Sequence, residues 1–227
     1  MCGRYALFSD HETLARRFDV ETSGYEPTYN AAPSQSLPVI ADDDPGTLRA
    51  FQWGLVPPWA DDASPGPINA RVETVREKPT FAESLEERRC LVPCDGFYEW
   101  REEGGTKRPY YFHRPDGEPF AMAGIWAMYE PETTQTGLDA FGAEGSPDRA
   151  ADPVRSFAVL TRDATGTVAD YHHRESVLLA PEEESRWLSA EYAGLLDRAN
   201  DVDLVARPVS RAVNDPANDR PDLVETV

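Results

Sequence analysis

Phe97-Tyr98-Glu99-Trp100-Arg101, Pro109-Tyr110-Tyr111-Phe112-His113 and Phe120-Ala121-Met122-Ala123-Gly124-Ile125-Trp126-Ala127-Met128-Tyr129 follow one another along the chain, separated by breaks rich in Gly, Pro and charge. Short aromatic and β-branched runs bounded by turn residues read as β-strands. Working outward, residues 3–8, 37–41, 48–53, 156–161 and 177–179 carry the same signature. Helices are expected in only a few places. Ser9 and Glu12 have capping-box spacing ahead of Leu14, Ala15 and Phe18, and further helices are expected at 80–88, 181–188, with Pro181 in its first turn, and 190–199. Many short strands with a few short helices between them predict an α+β fold on a curved or barrel-like, mainly antiparallel sheet. A chain of 227 residues suits one such domain over 1–227. Residues 130–152, rich in Pro, Gly, Thr and acids, read as an acidic surface loop, and the tail from about 214 as an irregular surface segment.

Charge excludes some function classes and narrows others. The chain holds 22 Lys+Arg against 41 Asp+Glu, a net charge of −19, and all its basic residues except Lys78 and Lys107 are arginines. Acids crowd at 42–44 and 182–184. This profile suits a salt-adapted, halophile cytoplasm. A polyanionic partner is disfavoured by the total charge, but concentrated salt screens fields within about 3 Å at 1 M, so a local arginine groove then matters more than the sum. No apolar run is long enough to span a bilayer and the start lacks a signal-peptide pattern, so a cytoplasmic, membrane-free protein is expected. Three cysteines do not make a disulfide framework. Cys90 and Cys94 lack the second pair or the spaced histidines a zinc site needs, so they are expected to be structural thiols, with no metal and no other cofactor.

Cys2 is where chemistry is expected. It follows the initiator Met, and a side chain as small as Cys is normally compatible with removal of that Met, which leaves one residue carrying both an α-amine and a thiol. An α-amine titrates near 8 and a thiol near 8.5, so both nucleophiles are accessible at neutral pH. With an aldehyde the amine forms an imine, and the sulfur closes on the imine carbon to give a five-membered thiazolidine. The plain alternative is a small residue near a terminus.

The segments Cys2-Gly3-Arg4-Tyr5, Tyr29-Asn30-Ala31-Ala32-Pro33-Ser34-Gln35, Trp53-Gly54-Leu55-Val56-Pro57-Pro58-Trp59, Asn69-Ala70-Arg71-Val72-Glu73-Thr74, Arg89-Cys90-Leu91-Val92-Pro93 and Gly96-Phe97-Tyr98-Glu99-Trp100 resemble, in order, the motifs of the SOS-response-associated peptidase (SRAP) domain. Ala123-Gly124-Ile125-Trp126, Phe157-Ala158-Val159-Leu160-Thr161, the segment around His172 and the 209–214 stretch extend the resemblance over nearly the whole chain. The resemblance implies a protein that shields abasic sites in single-stranded DNA through a thiazolidine crosslink between Cys2 and the ring-opened deoxyribose. It leaves open whether the crosslink is reversed and whether Met1 is removed autoproteolytically. The family's name adds peptidase or hydrolase activity, and the sugar chemistry is of the abasic-site lyase type. A monomer is expected, nucleoid-associated when bound to DNA, with the replication machinery as a candidate partner.

Site roles follow. Glu99 lies in an aromatic strand, where a carboxylate beside rings acquires a raised pKa and can move protons; otherwise it is a charge on a solvated face. His172 is the second proton carrier, suited to opening the cyclic sugar, with His173 competing. The family usually shows a His-Asp-Arg-Met-Pro-like run here, whereas this chain reads His172-His173-Arg174-Glu175-Ser176. His11 and His113 read as surface residues. Asn69 offers an amide to orient the sugar or amine, and Arg71, two residues on, points to the same side of an extended segment. Arg4, Arg71 and Arg174 are phosphate candidates, Trp53, Trp59 and Trp100 stacking candidates or core residues, and Thr161 a further DNA contact. Three rivals share some of these features. Class II glutamine amidotransferases also begin with Cys-Gly, an N-terminal-Cys peptidase would use Cys2, Glu99 and His172, and a non-covalent single-stranded DNA binding module would leave Cys2 without a role.

Overall fold

The computed structural model describes residues 2–131, 152–192 and 194–227. The acidic loop expected at 130–152 therefore lies almost wholly outside the described residues, as does Met1. In chain order the strands are β1 (Tyr5–Leu7), β2 (Thr28–Ala31), β3 (Ser36–Ala41), β4 (Asp44–Trp53), β5 (Asn69–Arg71), β6 (Arg89–Cys94), β7 (Gly96–Glu103), β8 (Thr106–His113), β9 (Phe120–Tyr129), β10 (Val154–Asp163), β11 (Arg174–Ser176), β12 (Leu178–Leu179) and β13 (Val205–Pro208). Helices α1 (His11–Phe18), α2 (Pro79–Glu87), α3 (Gly166–Ala169) and α4 (Pro181–Leu188) sit between them. No helix among the described residues is long and apolar enough to cross a membrane.

Five strands close into a barrel. β10 pairs in parallel with β4, and β4–β3, β3–β6, β6–β9 and β9–β10 are antiparallel, returning to the start. Only full closure removes sheet edges. β5 runs parallel to the C-terminal half of β10 and β11 runs antiparallel to it, so both add short strands to the barrel rim. The second sheet, in the order β13-β8-β7-β1-β2, is antiparallel throughout.

This sheet is buried on both faces, and side-chain alternation sorts its residues between them. Tyr5 and Leu7 of β1, Phe97 of β7, and Tyr110 and Phe112 of β8 face the main core, where Phe97 stacks on Phe112 with ring centroids 5.2 Å apart. Ala6, Tyr98 and Tyr111 point the other way, into a smaller core closed by Val209, Val213, Leu223 and Val224. Gly96 begins β7 because β8 comes too close for a side chain: a Cβ there would sit 2.3 Å from the Phe112 carbonyl oxygen.

Three local expectations are corrected. The cap of α1 is Asp10, whose side chain accepts Thr13 N–H at 2.8 Å; Ser9 is turned away to Asp95. The helix expected at 190–199 is absent among the described residues: Ala190, just past α4, sits at φ 65°, a left-handed conformation that ends a helix. The tail from 214 is mostly exposed but not wholly irregular or surface-bound, since Leu223 and Val224 are buried. It forms 3-10 turns at Arg211–Asn214 and Pro221–Val224 whose apolar residues cap the second core, and the Asn30 amide Nδ2 donates to the Asp215 and Asn218 carbonyls at 3.0 and 2.7 Å.

Because Leu223 is fully buried, Leu223→Ala is expected to lower stability by about 2–4 kcal/mol. The midpoint and slope of urea unfolding measure this; a loss under about 0.5 kcal/mol, the range of an exposed position, would contradict the packed tail.

Candidate active site

Cys2 is placed by the strand that follows it. β1 is hydrogen-bonded to β2 on one side and β7 on the other, and Tyr98 N–H donates to the Arg4 carbonyl at 3.0 Å. Followed back up the chain, the antiparallel register Tyr5↔Phe97 brings Cys2 and Gly3 alongside Glu99. Glu99 has the same parity as Phe97 and points into the space between sheet and barrel. On the opposite side, Asn69 of β5 donates through Nδ2 to the Cys2 carbonyl at 2.9 Å. The Cys2 side chain is 1% exposed, with Sγ 3.8 Å from the Arg4 carbonyl oxygen and 4.0 Å from Met122 Sδ.

Burial sets the electrostatics. Glu99 is 4% exposed, and desolvation pushes its pKa up to about 7, against the lowering effect of the positive amino terminus. The Cys2 thiol is pushed up to about 12, first by burial and then by the Glu99 charge. His172 Nδ1 lies 3.0 Å from both the backbone N–H and the carbonyl oxygen of Arg174; burial lowers its pKa, against the raising effect of that backbone hydrogen bond, and the charges of His173 and Lys107 lower it further. Glu99 is thus poised near neutrality, and His172 is biased towards its neutral form.

The structure separates the remaining candidates. Arg71 is exposed on β5, two residues from Asn69. Arg4 is half-buried, its Nη1 donating to Asn30 Oδ1 at 2.8 Å and to the Val213 carbonyl at 2.9 Å. Arg174 is no open phosphate clamp. Its guanidinium, 5% exposed, is held by Glu73 at 2.7 and 2.9 Å, by Asp163 at 2.6 Å and by the Thr161 carbonyl at 2.8 Å, and so braces β11 to the rim. Thr161 is fully buried beneath it. Trp53 is a core residue, stacked parallel to Phe157 at 6.1 Å, with Nε1 donating to the Ile68 carbonyl. Trp100 packs on the second core, on the face of β7 opposite Glu99, and bonds Asn214 through Nε1 at 2.8 Å. Trp59 is 62% exposed. Cys90 and Cys94 are buried thiols in the barrel strand β6. No group of three or more His, Cys, Asp or Glu able to hold a metal occurs among the described residues.

Two neighbours of Cys2 were not foreseen, Met122 and Ser176. Nothing in their own segments marks them, because strand pairing alone carries them to the thiol.

The profile of the SOS response associated peptidase (SRAP) family matches residues 1–216. A Bacillus subtilis protein named abasic site processing protein YoqW is 35% identical over 240 residues, covering 100% of each chain. Abasic site processing protein YedK of Escherichia coli is 29% identical, again over 100% of each. An X-ray structure of a Bacteroides thetaiotaomicron protein superposes with a TM-score of 0.80 at 26% identity, covering 100% of both chains.

The raised Glu99 pKa makes a prediction of definite sign. With a folded pKa about 7 against an ordinary 4.5, the buried carboxyl is unpenalised below pH 4.5, and stability is lost as the pH rises through 7. Glu99→Gln, which cannot ionise, is expected to exceed the parent in stability at pH 8 by on the order of 3 kcal/mol, the gap closing towards pH 4.5. Urea unfolding at pH 5 and pH 8 checks this, and a gap that does not depend on pH would contradict it.

Proposed function

The chain belongs to the SOS response associated peptidase family, and from that membership we propose that it processes abasic sites in single-stranded DNA by covalent capture on Cys2. The observation that carries this reading is the juxtaposition of Cys2 with Asn69 and with a carboxyl poised near neutral pH, Glu99. A group titrating near the working pH serves as both acid and base. The relatives' names supply the substrate class, and the aminothiol supplies a reason for it: an abasic deoxyribose is the DNA lesion that opens to an aldehyde.

The steps follow from where the groups lie. Removal of Met1 frees the Cys2 amine. His172 exchanges protons with the sugar ring oxygen, opening the hemiacetal to its aldehyde. The amine adds to the carbonyl carbon, and Glu99 donates the proton with which the hydroxyl leaves as water, giving an imine protonated on nitrogen. The sulfur then bonds to the imine carbon, the C=N electron pair passes to nitrogen, and the thiol proton is taken up by the Glu99 carboxylate. The balance is aldehyde plus aminothiol giving thiazolidine plus one water. Asn69 holds the Cys2 carbonyl, and its buried Oδ1 has no hydrogen-bond partner among the described residues, so it is placed to accept from the attacking amine.

The order amine first, sulfur second follows from burial. A thiol with a pKa about 12 is about one part in 10⁵ thiolate at pH 7, which disfavours direct attack by Cys2 on an external peptide. Closing on a neighbouring imine is intramolecular and does not need a free thiolate. Exposed Arg71 then pairs with phosphate and exposed Trp59 stacks on an adjacent base. The lesion would be met in the nucleoid, with the replication machinery as the source of exposed single strands.

Untagged protein incubated with an abasic single-stranded oligonucleotide is expected to gain the oligonucleotide mass less one water under denaturing conditions. Cys2→Ala or an N-terminal tag should abolish this adduct, and Glu99→Gln should slow its formation about a hundredfold. A full-yield adduct from Cys2→Ala, read by intact mass spectrometry, would defeat the assignment.

A further inference from the structure

Ser176 is 1% exposed, and its hydroxyl has no hydrogen-bond partner among the described residues. An orphaned buried hydroxyl is unfavourable by about 1–3 kcal/mol, so its surroundings need a physical account. Three pairings fix where it sits. Ser176 lies opposite Thr161 across β10 and β11, and its carbonyl accepts from Asn200 Nδ2 at 2.9 Å. The next carbonyl, that of Val177, accepts from Ala123 N–H at 2.8 Å. Ala123 follows Met122, whose Sδ is 4.0 Å from Cys2 Sγ. The hydroxyl is thus carried on a rigid strand beside the sulfur, where hydrogen bonding from it favours a Cys2 thiolate, although the resting geometry closes no full hydrogen bond between them.

The other groups touching the sulfur cannot do this. The Arg4 carbonyl oxygen only accepts, and the Met122 thioether has no proton. The nearby charge of Glu99 acts in the opposite sense and raises the energy of a thiolate.

We propose that Ser176 is a positioning residue for ring closure: its hydroxyl donates to Cys2 Sγ as negative charge grows there, holding the sulfur towards the imine carbon. This rests on the capture chemistry proposed above. The covalent balance is unchanged by it. The S–C bond forms, the C=N pair moves to nitrogen, the thiol proton passes to Glu99, and Ser176 keeps its own proton. A hydrogen bond that tightens as charge develops on the sulfur accelerates the step, because it stabilises the transition state more than the starting state.

Ser176→Ala and the hydroxyl-preserving Ser176→Thr separate this role from simple packing. In the first measurement, without DNA, Cys2 is alkylated with iodoacetamide across a pH series, and peptide mass spectrometry distinguishes it from Cys90 and Cys94. Ser176→Ala should shift the alkaline limb upward and slow alkylation at a fixed pH about threefold to tenfold, and Ser176→Thr should restore it. In the second, an abasic oligonucleotide is added: borohydride-trapped imine should form at the parental rate while the unreduced, denaturation-resistant adduct accumulates about threefold to tenfold more slowly. Ser176→Ala should melt no lower than the parent, since the hydroxyl it removes closes no full hydrogen bond in the resting structure, so slower ring closure in this variant is not a loss of folding. A parental alkylation profile together with parental ring closure in Ser176→Ala would overturn the proposal. If the parent forms no adduct at all, the capture chemistry fails, while the alkylation measurement still decides what Ser176 does to the sulfur.

Discussion

Tyr5 is hydrogen-bonded to the strand of Ala31 on one side and to that of Phe97 on the other, and its ring packs edge-on against Trp53 at 5.3 Å. A three-residue strand clamped in this way has no freedom of rotation or register, because a slip of one residue would drive Tyr5 and Leu7 out of the main core and Ala6 into it. Cys2 therefore lies in a defined place three residues upstream. The same clamp orients β7, whose alternation turns Phe97 and Glu99 inward and Tyr98 and Trp100 outward. The proximity of thiol and carboxyl follows from two backbone ladders.

Burial on the inner face gives this proximity its chemistry. In water, Glu99 would be an ionised carboxylate; between a sheet and a barrel it is held near neutrality. The thiol is driven in the same direction for the same reason, so the site disfavours a standing thiolate and suits a sequence in which nitrogen reacts first. Among the described residues Asn69 Oδ1 and Ser176 Oγ close no full hydrogen bond, although buried polar groups generally do. Both lie beside Cys2.

Arginine does much of its work inside the molecule. Arg89 donates to the carbonyls of Trp187, Leu85 and Glu86 and pairs with Asp42 at 3.2 Å, Arg17 pairs with Glu184, and Arg174 with Glu73 and Asp163. The acids at 42–44 and 182–184, which in the sequence suggest a salt-adapted surface, thus include partners of the buried Arg89 and the partly buried Arg17. With these guanidiniums engaged, Arg71, two residues from Asn69, is left exposed beside the site. Binding that depends on few phosphate contacts also loses less affinity as salt rises, which is compatible with a net charge of −19.

The strands Phe120–Tyr129, Gly96–Glu103 and Thr106–His113 were legible because aromatic and β-branched runs declare themselves locally, and Pro181–Leu188 because proline marks a first turn. Cys2, Asn69 and Glu99 were legible through ordered motifs and through what an aminothiol and a carboxyl can do. Other features were not: Thr28–Ala31, Arg89–Cys94 and Val205–Pro208 are strands because of their neighbours, and the tail is ordered because Leu223 and Val224 find a second core to close. Arg174 and Trp53 illustrate the same divide at the site, since a guanidinium or an indole has identical chemistry in a groove and in a brace. By itself, then, the sequence determined which nucleophile, carboxyl and amide are present and the α+β character of the chain, because composition and alternation are local properties. Which arginines remain open to solvent, how far the carboxyl is desolvated and which hydroxyl stands beside the sulfur were decided by tertiary structure, because burial and pairing depend on residues distant in the chain.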